Sequence, residues 1–283
     1  MARFVYAELT QTVTCVLALC AFFLVPGGRA MSQTKLIRLE VVRVAEQSGL
    51  LAHLLPDFEK LSGYRVQVHS STTDVFQRAR SGEADLVISH YGFDEVERFV
   101  QGGFGFWPRL LFSNQAAILG PPDDPAQIRG LSDAVEAFRR IAQARAPFVT
   151  NDLAVLTYLT DILWEGAGRP DRTGWYFDLG LSDQAAVLAA SDRGAYTLWG
   201  VDPFVRFVAG HPLQEEMLCV GDPILQRTMS SVVVNPETVK GVNVEGARAL
   251  ERYLLLPATQ ARIRTFRYEG YDPAFWWPAG LQN

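Results

Sequence analysis

Cysteine is scarce in this chain. It occurs three times in 283 residues, and Cys15 and Cys20 both fall within the first thirty positions. Cys219 stands alone in the remainder, which excludes an internal disulfide there and leaves stability to the core. Histidine is nearly as rare, with four copies and no second His or Cys at metal-ligand spacing; no metal site and no other cofactor is expected. Basic charge is in deficit, with a net charge of −5. A nucleic-acid partner would call for a basic stripe, so none is expected. Enzyme signatures are missing as well: there is no G-x-S-x-G, no H-E-x-x-H and no phosphate-binding loop. "GGFGF" (Gly102–Phe106) precedes a Pro-broken strand instead of opening a helix after one, so it is not a dinucleotide fingerprint. No internal repeat or low-complexity tract stands out.

What is present is the composition of an ordinary globular protein, 48% hydrophobic and 20% charged, enough for one large or two modest domains. Residues 1–30 read as a secretory signal peptide. Arg3 precedes the apolar run "VTCVLALCAFFLV" (Val13–Val25), and Gly28 and Ala30 offer a cleavage site. The run is well short of the roughly 20 apolar residues that span a bilayer. Cys20 lies inside it after "LAL", which is poor context for lipoprotein processing.

The rest alternates strand and helix. "LIRLEVVRV" and "RVQVHSS" read as strands around the helix "LLAHLLPDFEKLSG". "DVFQRARSG" and "DEVERFVQGG" read as helices on either side of "ADLVISH", a continuous apolar run of the buried-strand kind. "LLFSNQAAILG" (Leu110–Gly120) runs into the Pro/Asp cluster "PPDDP", a boundary signal. A second strand–helix series follows, and "EGARALERYLLLPATQARIRTF" predicts a long C-terminal helical region. The fold class expected is α/β, with two Rossmann-like lobes built on parallel sheets. Residues 31–118 and 229–283 form the first lobe and 119–228 the second, joined by crossing segments near Leu110–Gly120 and Thr228–Asn235. In such sheets ligands bind beyond the carboxyl ends of the strands. That singles out the turns "RVAEQSG", "SSTTD", "SHYG", "VTNDLA" and "LWGVD".

Several segments resemble the periplasmic tungstate-binding subunits of ABC transporters, within the type II solute-binding superfamily. They are "SGLLAHLLPDFEKLSGYRV", "SGEADLVISH", "FSNQAAILGPPDDPAQIRG", "LWEGAGRP", "GWY", "AYTL" and "GDPILQRTMSSVVVNP". The resemblance implies a periplasmic, monomeric binding protein that closes its lobes on a small-molecule or oxyanion ligand and docks on a membrane permease. The binding turns depart from the family. Its Thr-Thr-Thr-Ser run is here Arg43, Val44, Ala45 and Glu46; its Gly-Thr-Gly is Ser71, Thr72 and Thr73. Its Ser-Arg-Gly-Asp-x-Ser-Gly-Thr loop is "TNDLAVLT" (Thr150–Thr157), and the Asp-Arg-Gly after "AYTL" is replaced by "WGVD". A tetrahedral oxyanion is held by N–H and O–H donors. Val44 and Ala45 remove hydroxyls, while Glu46 or Asp152 would set a carboxylate against the anion. A ligand other than tungstate in the usual cage is therefore expected. The alternative is a non-transport sensor or accessory protein with a degenerate cleft.

Each candidate residue carries two readings. Arg43 clamps a carboxylate or pairs with a surface acid. Glu46 meets an ammonium or complements the helix dipole. Ser48 is a helix cap. Ser71, Thr72 and Thr73 donate to ligand, or Thr73 and Asp74 cap the next helix. His90 ends a buried strand as a ligand contact or a structural histidine. Asn151 and Asp152 touch ligand, or Asp152 caps the following helix. Trp199 walls the site or plugs it.

Overall fold

A computed structural model of the protein describes residues 35–71, 74–92, 94–268, 273–274 and 276–279. The signal-peptide reading of residues 1–30, and Thr72 and Thr73, lie outside the described residues.

The chain opens with β1 (Lys35–Val42), α1 (Arg43–Gln47), α2 (Leu50–Ser62), β2 (Tyr64–Ser71), α3 (Val75–Arg80), β3 (Leu86–His90) and α4 (Asp94–Gln101). β1 lies between β2 and β3, parallel to both. Then comes β4 (Arg109–Gly120), a twelve-residue strand that changes partners midway. Residues up to Gln115 pair with β9 (Gln226–Val233), whereas Ala116–Gly120 pair with β7 (Thr197–Gly200) and β8 (Glu216–Cys219). Between β4 and β7 run α5 (Ala134–Ala144), β5 (Phe148–Val149), α6 (Ala154–Gly166), β6 (Tyr176–Phe177) and α7 (Gln184–Ser191). α8 (Val201–Val208) follows β7. After β9 come α9 (Val244–Leu254), α10 (Pro257–Thr265) and β10 (Trp277–Pro278), which is antiparallel to β4.

One expectation needs correction. The sheet is mixed, because β9 runs antiparallel to both β3 and β4. Strand direction depends on how a returning segment pairs, which local periodicity does not encode. The C-terminal helical region is two helices: Leu256 is extended and Pro257 starts α10, as expected of a residue before proline.

The motif "ILGPPDDPAQIRG" is explained by one aromatic ring. A Cβ on Gly120 would lie 2.5 Å from the Tyr196 ring, so only glycine lets the ring pack there. The Tyr196 hydroxyl donates to Asp124 Oδ1 at 2.7 Å and accepts from the Ala126 amide at 2.9 Å. The Asp124 carboxylate also accepts from the Ile128 and Arg129 amides, closing the turn. Trp276 is fully buried and meets Phe112 edge-on at 5.2 Å, fastening the tail to β4. No helix among the described residues is long and apolar enough to cross a membrane.

Candidate functional site

The turn after β1 is itself helical. "RVAEQ" forms α1, and Gly49 at φ 77° breaks it from α2. Ser48 is buried and stitches the two helices together: its hydroxyl donates to the Ala45 carbonyl and accepts from the Leu50 amide. Glu46 points to solvent and accepts from Ser70 Oγ at 3.2 Å. Half-buried Arg43 instead lines a concavity of about 270 Å³ shared with Asp183, Gln184, Trp199 and the α8 residues Pro203, Arg206 and Phe207.

Three side chains give this concavity its fixed geometry. Trp199 is only 1% exposed, packs edge-on against Phe204 and Phe207, and gives its indole N–H to Asp183 Oδ1 at 3.1 Å. Asp183 precedes α7 with φ 56° and ψ −133°, a region costly for any residue but glycine. Asn151 holds it there. Asn151 Oδ1 accepts from the Asp183 amide at 2.8 Å, and its Nδ2 donates to the Asp183 carbonyl at 3.2 Å. Arg206, also in the lining, donates to Asp202 Oδ2 through Nε at 3.3 Å and Nη2 at 3.0 Å. Asp202 also accepts from the Tyr268 hydroxyl, and burial raises its pKa.

The other candidate residues lie elsewhere. Ser71 sends its proton to the buried carboxylate of Glu40 at 3.0 Å, alongside His69 at 2.8 Å and Arg78 at 3.0 Å. His90 pairs in register with Met229 at the end of β3; burial first, then the Arg227 guanidinium, push its pKa down to about 3. Its ring is therefore neutral at ordinary pH and brings no positive charge to an anion. Asp152 does not cap α6, whose N-cap residue is Leu153. It lines a second concavity of about 290 Å³ with Thr150, Asp161, Arg172, Tyr176 and Asp178. Carboxylates outnumber the guanidinium in that lining, the wrong balance for an anion. Arg172 is occupied in addition by the rings of Trp164 at 4.2 Å and Tyr176 at 4.3 Å and by Asp161 at 3.5 Å.

Thus Arg43 and Trp199 meet at one concavity, and Asn151 supports it from behind. Asp183 and Arg206 escape a sequence reading because Asp183 looks like one more helix-start acid. The spacing of Asp202 and Arg206 on α8 is the one local signal that orients a guanidinium. Among the described residues no group of three or more His, Cys, Asp and Glu side chains is placed to hold a metal ion.

No protein-family model matches the chain. A Haloferax volcanii protein bearing the name of an ABC transporter anion-binding protein is 31% identical over 242 residues, covering 84% of this chain and 70% of the relative. The tungstate-binding protein TupA of Peptoclostridium acidaminophilum is 27% identical over 246 residues, 86% and 85% of the two chains. Among solved structures, the tungstate-binding protein TupA of Desulfovibrio alaskensis aligns with TM-score 0.79 at 24% identity, covering 87% of this chain and 99% of its own. The tungstate ABC transporter structure from Geobacter sulfurreducens aligns with TM-score 0.70 at 27% identity, covering 82% and 98%.

Proposed function

The chain belongs to the anion-binding proteins of ABC transporters, the group that includes tungstate-binding TupA, and from that premise we propose that it captures a small solute outside the cytoplasmic membrane through a guanidinium site. Its fold is that of the type II periplasmic binding proteins. In this reading residues 1–30 direct export, the mature chain is a monomer, and an ABC permease receives the loaded form. Residues 31–118 with 229–283 and residues 119–228 act as two lobes. They hinge where β4 exchanges β9 for β7, between Gln115 and Ala116. Hinge closure about a few strand residues is a familiar motion of such proteins.

One observation carries the reading: Arg43, from the first strand–helix turn, lines the same concavity as Trp199 and Arg206 from β7 and α8. None of the described residues lining it has a hydroxyl. The anionic part of the ligand meets guanidinium groups, which bind carboxylates bidentately. A second reading has one observation in its favour. Trp199 is so thoroughly packed that it fills space a ligand would need, which suits an accessory protein with a degenerate cleft.

A thermal-shift screen of inorganic oxyanions and small organic anions separates the two. The transport reading expects at least one anion to raise the melting temperature of the mature protein, since about 2.7 kcal/mol accrues at a hundredfold excess over Kd. It expects Arg43→Gln to abolish that shift. Stabilisation by no compound in either class favours the accessory reading.

A further inference from the structure

The electrostatics of the Arg43 concavity narrow the class of ligand, given the reading of that concavity as the capture site. A doubly charged inorganic oxyanion is held by a surplus of N–H and O–H donors with few acceptors facing it. Here the positive charge is matched. Arg206 lines the concavity in an ion pair with Asp202 at 3.0 Å, and Arg43 lines it together with Asp183. The Asp183 carboxylate is also no incidental surface acid. Its backbone sits at φ 56°, a conformation that persists in a non-glycine residue only when surrounding contacts enforce it. Asn151 enforces it through two backbone hydrogen bonds and Trp199 fixes the carboxylate through Oδ1. A negative group is thereby held in place in a lining whose other ionisable groups are Arg43, Arg206 and His211. Gln47 and Gln184 add amides that both donate and accept, and Pro203 and Phe207 add carbon surface.

We infer that the concavity takes a small zwitterion of the α-amino-acid class, its carboxylate on Arg43 and its protonated amine on Asp183, and that Asp183 is the residue that selects against inorganic dianions. The volume, about 270 Å³, lies just below the usual range for drug-sized ligands and restricts the site to a small molecule. Neutral Gln47 and Gln184 complement either end of a zwitterion, whereas a bare tetrahedral dianion would meet the Asp183 carboxylate without a proton to offer it.

Calorimetric titration of the mature protein tests this with matched pairs: alanine against propanoate, leucine against 4-methylpentanoate, phenylalanine against 3-phenylpropanoate, and tungstate alongside. The amine-bearing member of a pair is expected to bind at least about tenfold more tightly, the worth of one charge-assisted hydrogen bond. Asp183→Asn is expected to erase most of that preference. Asparagine is isosteric with aspartate, is held in the same backbone conformation by Asn151 and keeps an acceptor for Trp199, so the variant retains the turn, which circular dichroism and an unchanged melting temperature verify. Equal or tighter binding of tungstate or of the amine-free acids overturns the zwitterion inference and leaves the guanidinium capture site standing. So does a preference for the amine that survives Asp183→Asn. Binding of none of these compounds, nor of any other anion, overturns both.

Discussion

The indole N–H of Trp199 ends on the carboxylate of Asp183, 3.1 Å away, joining the end of β7 to the turn that starts α7. The bond explains how a tryptophan can be buried at the wall of a polar site: its one donor is satisfied there. Trp199→Ala is expected to cost about 3–5 kcal/mol from lost packing, read by urea unfolding. Trp199→Phe should retain most of that stability while freeing Asp183, so ligand affinity should fall more than stability does.

Asn151 supports the same turn from behind. Asn151→Ala removes both of its hydrogen bonds to the Asp183 backbone, and each buried group left unsatisfied costs about 1–3 kcal/mol. Asn151→Asp keeps the acceptor for the Asp183 amide but buries a carboxylate against the Asp183 carbonyl, so at least as large a loss is expected. Denaturant midpoints of the two variants establish the order.

Beside the site, Glu40 gathers Ser71, His69 and Arg78 around a carboxylate that is 1% exposed. Glu40→Ala leaves Arg78 and His69 behind, both partly exposed and Arg78 still paired with Glu83 at 2.8 Å, so it should cost about 1–3 kcal/mol. Glu40→Gln keeps acceptor capacity and should cost less. An unchanged unfolding midpoint for Glu40→Ala would contradict the role given to this cluster.

Acid–base linkage gives two opposing slopes. Burial raises the Glu215 pKa from 4.5 to about 8, so its neutral form favours the fold. That stability is full below about pH 4.5 and is lost as pH rises to 8. His90 is depressed from 6.5 to about 3. Its contribution is full above pH 6.5 and is lost as pH falls toward 3. Unfolding free energies from pH 4 to 9 for Glu215→Gln should lose the decline on the alkaline side. His90→Asn should lose the decline on the acidic side.

Much of the fold is legible in local pattern. The acidic start and apolar spacing of α4 announce a helix, and the unbroken "DLVIS" run announces the buried β3. What escapes is pairing at a distance. The antiparallel return of β9 beside β3 depends on where a strand from the far end of the chain inserts. The helical form of "RVAEQ" depends on Ser48 and Gly49 joining α1 to α2. At the site, sequence singles out Arg43 and Trp199, because they stand where family threonines and an aspartate–arginine pair would be. Asp183 and Arg206 carry no such mark: their importance comes from one hydrogen bond to Trp199 and one ion pair to Asp202, both made by folding.

Titration calorimetry with tungstate, run on the wild type, Arg43→Gln and Thr72→Ala, separates a guanidinium site from a hydroxyl cage. A guanidinium site expects weak tungstate binding at most, with whatever remains lost in Arg43→Gln and little changed in Thr72→Ala. Tight tungstate binding that Thr72→Ala abolishes and Arg43→Gln leaves intact would mean that the family's hydroxyl cage still holds the ligand, and would contradict the account.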